Sequence, residues 1–271
     1  MDFQVRNILV GFDNSKSANV ALKKAADMAR RFDAKLHAVY VAKSSNGSGE
    51  DISKAVDDVG KSSGLDIEYL ERKGKVYTEI ISLERELGAD VVIIGTHGEE
   101  GWQPFWVGSN AFRIASSANC PVITIQETTK EDKALSDILL PLDDEDTTRQ
   151  KVPYAVMMAQ AYNATLHVYS VTKGTSNAVK ARLRAYGKQT QTFLHERGIK
   201  TTYGEQFGGD VVKNIMNYGK EVRAGLVMIM ADTESKGLIM GSYSQDIVNN
   251  STIPVMVMHG RDLQITGSVG Y

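Results

Sequence analysis

A single cysteine, Cys120, stands in a chain of 271 residues. One thiol excludes an internal disulfide and fits a reducing compartment. Basic excess is missing as well. Lysine and arginine number 31 against 33 aspartates and glutamates, a net charge of −2, which leaves no general electrostatic footprint for nucleic acid. No apolar run approaches the roughly 20 residues of a membrane span. The opening MDFQVRNILVGF goes straight into a strand pattern without the features of a signal peptide. The histidines, at 37, 97, 167, 195 and 259, show no zinc-ligand spacing. No nucleophile–base pair is readable, so nothing points to a fast enzyme. These absences together suggest a cytoplasmic protein with no metal centre, no nucleic-acid partner and no membrane partner.

What is present is ordinary in bulk, with 42% hydrophobic and 24% charged residues, as in soluble globular proteins. The length suits two domains of about 130 residues. An internal repeat supports that division. NILVGFDNS at 7–15 returns as DILLPLDDE at 137–145, and DAKLHAVYV at 33–41 returns as NATLHVYSV at 163–171. ADVVIIG at 89–95 returns as AGLVMIM at 224–230, and CPVITI at 120–125 as IPVMVM at 253–258. Order is kept and spacing nearly so. The expected domains are 1–128 and 134–262, joined by a polar charged linker and followed by a tail, 263–271, without a counterpart.

Each half alternates strand and helix patterns. NILVGF is a continuous apolar run, as suits a strand buried on both faces. The next segment sets Ala18, Ala21, Leu22, Ala25, Met28 and Ala29 on one face at helical spacing. KLHAVYVA, DIEYLE, DVVIIG and PVITI read as further strands, and VYTEIISLEREL as a helix stopped by Gly88. KSSNGSGED, after the second strand, begins as a loop. Such alternation predicts an α/β fold with a doubly wound parallel sheet. Ligands on such sheets sit at the carboxyl ends of the strands.

One stretch falls where that site would be. IIGTHGEEGWQPFWVGSN, 93–110, places Gly95 at a strand end, Gly98 in the following turn, and Gly108-Ser109 before the last helix of the half. Glycines admit close backbone approach, and a helix start offers N–H groups and partial positive charge to an anion. The competing reading is a tight turn at Gly95 and Gly98, with Ser109 as an ordinary N-cap. On local grounds the two stand level. Trp102, Phe105 and Trp106 fit equally a pocket cover or a partner surface. GKS at 60–62 has the letters of a P-loop, but Ala55 stands where its first glycine belongs. His37 and His167 repeat at one strand position, which favours a structural role, and Cys120 reads as a buried small residue.

The ILVGFDNS opening, the LHAVYV strand, the GTHG…GSNAFRI block and the CPVITI ending resemble a tandem universal stress protein, over both halves. The resemblance implies two five-stranded parallel sheets of strand order 3-2-1-4-5, flanked by helices and packed as a pseudo-dimer. It makes the glycine block an ATP-binding signature, with magnesium as a companion ion. Carried over position by position, Asp13 would meet adenine or ribose, flanked by Gly11 and Phe12, and Val41 the adenine edge. Gly95, Thr96, His97 and Gly98 would wrap the ribose and α-phosphate. Gly108, Ser109 and Asn110 would hold the outer phosphates. Asn110 departs from the family's usual valine. Glu99 and Glu100 stand where a basic residue is common, and two carboxylates there would oppose a triphosphate.

The second half keeps Asp143 and Gly241-Ser242 but has Pro141 for Gly11 and Met230 and Thr233 for Gly95 and Gly98, with a connection two residues shorter. The first half therefore reads as competent and the second as degenerate. The leading function is a nucleotide-binding stress-response protein holding ATP in its first half. The alternatives are an interaction scaffold with a vestigial site, and a slow ATPase in which Ser109 and magnesium position a water. Nothing in the sequence names a protein partner, and homodimers of the whole chain are left open. The apolar fifth strands, 121–125 and 254–258, are expected to cover each other.

Overall fold

The computed structural model describes residues 4–42, 49–96, 109–129, 134–145, 147–231 and 242–260. The first half runs β1 (Asn7–Gly11), α1 (Lys16–Phe32), β2 (Lys35–Ala42), α2 (Gly49–Ser63), β3 (Ile67–Lys73), α3 (Val76–Leu87), β4 (Val91–Gly95), α4 (Ser109–Ser117) and β5 (Val122–Ile125). The second runs β6 (Asp137–Leu142), α5 (Val152–Tyr162), β7 (Thr165–Thr172), α6 (Asn177–His195), β8 (Thr201–Phe207), α7 (Val211–Glu221), β9 (Leu226–Met230), α8 (Ser242–Asn250) and β10 (Val255–Met258).

Within each half the strands are parallel and follow the expected order. The two sheets are continuous, however, and form one ten-stranded sheet ordered β3-β2-β1-β4-β5-β10-β9-β6-β7-β8. The join is the antiparallel pair β5–β10, with Val122 opposite Val257, Ile123 opposite Met256 and Thr124 opposite Val255. The physical reason lies in the edges. VITI and VMVM are buried along their whole length, and an exposed apolar edge would template aggregation. The outer edges, β3 and β8, instead mix half-buried with exposed residues, with Ile67 alone buried.

Strand alternation divides the core into two layers. Ile8 and Val10 face one layer with the apolar side of α1, whereas Leu9 faces the other with α3 and α4. The duplicate Ile138, Leu140 and Leu142 separate from Leu139 in the same way. Helix α1 buries the six residues expected from periodicity, together with Ser17 and Ala26. Ser15 caps it, its hydroxyl accepting from the Ala18 N–H at 3.3 Å, and Arg30 and Arg31 stand at the negative end of the dipole. Gly88 closes α3 at φ 57°, the left-handed conformation that favours glycine. Helix α2 opens inside the segment expected to begin as a loop, with Glu50 and Asp51 in its first turn where acidic side chains suit the dipole.

The paired histidines are structural. His37 Nδ1 lies 2.7 Å from Glu68 Oε2 and its Nε2 3.4 Å from Asn7 Oδ1. His167 repeats the bridge, to Thr202 Oγ1 at 2.7 Å and Asp137 Oδ1 at 2.9 Å. Each ring ties the first strand of its half to the third. Cys120 is buried, as expected.

Candidate functional site

A cleft opens at the carboxyl ends of β1, β2 and β4, bounded by α1, α3 and α4. Of the residues singled out from the sequence, it gathers Gly11, Phe12, Asp13, Val41, Gly95 and Asn110. Ser15, Ala18, Val39, Val76, Ile80, Ile94, Ala111 and Ile114 complete its described walls and were not singled out. These are mostly apolar and carry no motif. The signal for most of them was positional, since strand and helix periodicity turns Val39, Val76, Ile80, Ile94, Ala111 and Ile114 toward one layer, while Ala18 comes from the other.

The chain's local rules build the site. The Phe12 N–H donates to the Val39 carbonyl at 2.9 Å, and β2 runs three residues beyond the Gly11–Val39 pairing. Val41 therefore overhangs β1 and leaves a backbone edge at the cleft. Asp13 Oδ1 accepts the Ser15 N–H at 3.0 Å. This bond closes a turn in which Asn14 adopts φ 62°, a conformation asparagine tolerates. Asp13 is the only charged side chain among the described residues lining the cleft. Helix amino ends, which suit an anion, are present at the wall in α4, through Asn110 and Ala111, and in α1, through Ser15 and Ala18.

Thr96 stands apart. It is buried, and its N–H and hydroxyl both donate to the Ile125 carbonyl, at 2.9 and 3.3 Å. Gly95 has a packing reason of its own. A Cβ there would lie 2.5 Å from Ser17 Oγ and 2.9 Å from the Ala18 nitrogen, so the first turn of α1 rests directly on this backbone. His97, Gly98 and Gly108 lie outside the described residues, as does the side chain of Ser109, which starts α4.

The model of the universal stress protein family matches residues 4–126 and again 135–259. The chain belongs to the universal stress protein family. A universal stress protein of Methanocaldococcus jannaschii is 28% identical over 144 residues, which is 46% of this chain and 85% of that protein. A putative universal stress protein of Staphylococcus haemolyticus is 30% identical over 142 residues, covering 45% of this chain and 84% of its own length. A solved universal stress protein from Archaeoglobus fulgidus superposes with a TM-score of 0.74 at 16% identity, over 94% of this chain and 97% of that one. A putative universal stress protein from Pseudomonas aeruginosa UCBPP-PA14 gives 0.72 at 18%, over 94% and 93%.

The second universal stress domain differs from the first at the matching positions. Asp143 repeats the turn of Asp13, its Oδ1 accepting the Glu145 N–H at 3.1 Å. Thus this aspartate has a structural task in both domains. Helix α5 begins only at Val152, whereas the match to Lys16, 130 positions on, is residue 146. The second domain thus lacks the helical turn that rests on Gly95 in the first, and has the buried Met230 in that glycine's place. Lys151, one of the largest fully buried side chains, sends its Nζ to the Thr148 carbonyl at 2.6 Å and hydroxyl at 3.2 Å. The same hydroxyl accepts the Asp143 N–H at 2.9 Å. The counterpart of the cleft wall Val39 is Tyr169, stacked on Tyr218 with ring centroids 4.2 Å apart. Burial, with Tyr218 and Glu221 adding to it, pushes the Tyr169 phenol up to about 12.

Proposed function

We propose that this universal stress protein binds one adenine nucleotide, ATP with magnesium as a companion ion, in its first domain. The supporting observation is the difference between the domains. The first keeps an open cleft at its strand ends beside the amino end of α4, while the second replaces a small wall residue by stacked Tyr169 and loses the first turn of α5. In the proposed assignment the overhanging Val41 backbone meets the base. Asp13 keeps one oxygen for its turn and offers the other to a ribose hydroxyl or an amino group. The α4 amino end, with Gly108, Ser109 and Asn110, would hold the outer phosphates, and Gly95, Thr96, His97 and Gly98 would wrap the ribose and α-phosphate, Thr96 without its N–H and hydroxyl, which Ile125 takes. With no cation among the described lining residues, phosphate is held by backbone N–H groups, each worth roughly 1.5–3 kcal/mol toward a charged acceptor.

A second reading has a specific observation behind it. Asp13 and Gly95 both have structural tasks, in the Ser15 turn and under α1, and such tasks would persist in a scaffold whose ligand loop is vestigial. Mass spectrometry of small molecules released on denaturing the purified protein separates the two. A nucleotide near one equivalent per chain supports the first reading, and an empty protein that also fails to titrate with ATP and magnesium supports the second.

A further inference from the structure

Two carboxylates that organise the first domain are missing from the second. Glu84 is buried in α3, and its Oε1 accepts the Asn119 N–H at 3.3 Å. Asp90 Oδ2 accepts the backbone N–H groups of Arg6 and Asn7 at 2.7 and 2.9 Å. Helices α3 and α7 match at an offset of 135, from Val76 and Val211 onward, so the counterparts are Gly219 and Gly225. Gly225 is held by its backbone, since a Cβ there would lie 2.6 Å from the Ala134 carbonyl. Gly219 is not so held, because its Cβ would meet only the side-chain ends of Ile253 and Leu139, at 3.0 and 3.3 Å.

Both glycines line a cavity of about 250 Å³, larger than the roughly 150 Å³ that admits benzene. The cavity lies ahead of β9 and β10 and just beyond β5; because β5 and β10 run antiparallel, this is the same end of the ten-stranded sheet as the cleft, on the far side of β5. Lys24 reaches it from the first domain and Lys220 and Arg223 from the second. Lys220 has an ordinary explanation, for its counterpart Arg85 also stands in the last turn of its helix, where cations suit the dipole. Arg223 needs another. It occupies the place of Gly88 and adopts φ 53°. The other described non-glycine residues with positive φ are Asn14, Asp33 and Asn163, whose short polar side chains tolerate that conformation. An arginine held in a conformation that favours glycine marks a position where the side chain is needed. A further polar group at the same cavity is unused. Thr129 is 6% exposed, and its buried hydroxyl has no hydrogen-bond partner among the described residues.

Relative to the first domain, this place has lost two carboxylates and gained a guanidinium, and it borders an open space. We propose that the cavity binds a small doubly charged oxyanion, whose oxygens stand where the first domain has its own Glu84 and Asp90. The ligand bridges the domains, because Lys24 and Thr129 come from one and Arg223 from the other. The proposal does not depend on the nucleotide assignment.

The test is calorimetric titration of the full chain with inorganic phosphate and, separately, with succinate, each against chloride at equal ionic strength. Saturable binding of one equivalent of either ion supports the proposal, and the ion that binds identifies a phosphoryl or a dicarboxylate source. Arg223→Gly restores the backbone-favoured residue, so it should fold at least as well as the parent while binding at least tenfold more weakly. Gly219→Glu supplies the missing carboxylate and should abolish binding. Gly98→Val should leave it unchanged, which separates this cavity from the nucleotide cleft. Heat reproduced by chloride, affinity unaffected by Arg223→Gly, or binding lost with Gly98→Val overturns the proposal. So does binding that appears only after Glu131→Gln and Asp132→Asn, since the chain's own linker then occupies the cavity.

Discussion

Gln126 and His259 are counterparts, 133 residues apart, and each reaches across the seam to the last helix of the other domain. His259 Nε2 lies 2.6 Å from the Ala115 carbonyl in α4. Gln126 Nε2 donates to the Val248 and Asn249 carbonyls in α8, at 3.2 and 2.9 Å. Ala115 and Val248 are themselves 133 residues apart, so the two contacts form a reciprocal pair about the β5–β10 seam. An imidazole and a carboxamide thus do the same work, satisfying carbonyls near the end of a helix that would otherwise be buried unpaired.

This reciprocity gives the first prediction. Gln126→Ala should lower stability by about 1–3 kcal/mol, the cost of leaving a buried acceptor unsatisfied. His259→Gln, which retains a donor of similar reach, should lose less than His259→Ala. Urea denaturation midpoints at a constant m-value check both. Equal losses for the two His259 variants would show that the bond to Ala115 contributes nothing.

Gly95 separates packing from ligand binding. Gly95→Ala should cost about 1–3 kcal/mol through overpacking, because its Cβ would meet the Ala18 backbone nitrogen at 2.9 Å. Thermal melts of the ligand-free protein read this directly. Met230, the matching residue, should accept Ala at a cost from lost burial alone, without a clash.

The nucleotide assignment predicts a stoichiometry near one ATP per chain, by titration with magnesium present. Gly98→Val should weaken binding with the melt preserved, since a β-branched side chain fills space at a turn. Ser109→Ala should weaken it as well, and Ser242→Ala should not. Loss of two phosphate hydrogen bonds corresponds to about a hundredfold or more. Two equivalent sites, or one sensitive only to Ser242, would show that the domains have been assigned in reverse.

Acid should erase one ion pair. Arg184 makes a forked contact with Glu205, Nε lying 3.0 Å from both carboxylate oxygens and Nη2 2.6 Å from Oε1. The hydrogen bond from this guanidinium, aided by the Tyr203 hydroxyl, holds the Glu205 carboxyl below its ordinary value. A carboxyl depressed on folding contributes stability above its unfolded pKa, near 4.3, and loses it as pH falls through the folded value. Glu205→Gln should therefore cost about 0.2–1 kcal/mol at pH 7, as partly exposed pairs do. The difference from the parent should shrink below about pH 4. Urea midpoints across that range test it, and a difference independent of pH would assign the effect to packing.

The sequence by itself determined the duplication, the alternation of strands and helices, the strand order within each half through the family resemblance, and the mutual covering of PVITI and PVMVM. These are legible because apolar periodicity, glycine stops and a repeated motif are local properties written in consecutive residues. Tertiary structure alone decided the rest. Whether Gly95 serves a ligand or a helix depends on Ser17 and Ala18, far away in sequence, coming to lie on it. The apolar cleft walls at Val39, Ile80 and Ile114 carry no motif, since any core residue would look the same in sequence. The seam contacts of Gln126 and His259 depend on an antiparallel register between strands 133 residues apart. The cavity at Gly219 exists only because α7, the segment before β10 and Lys24 of α1 come to border one space, and a missing side chain becomes a space only when its neighbours stay in place.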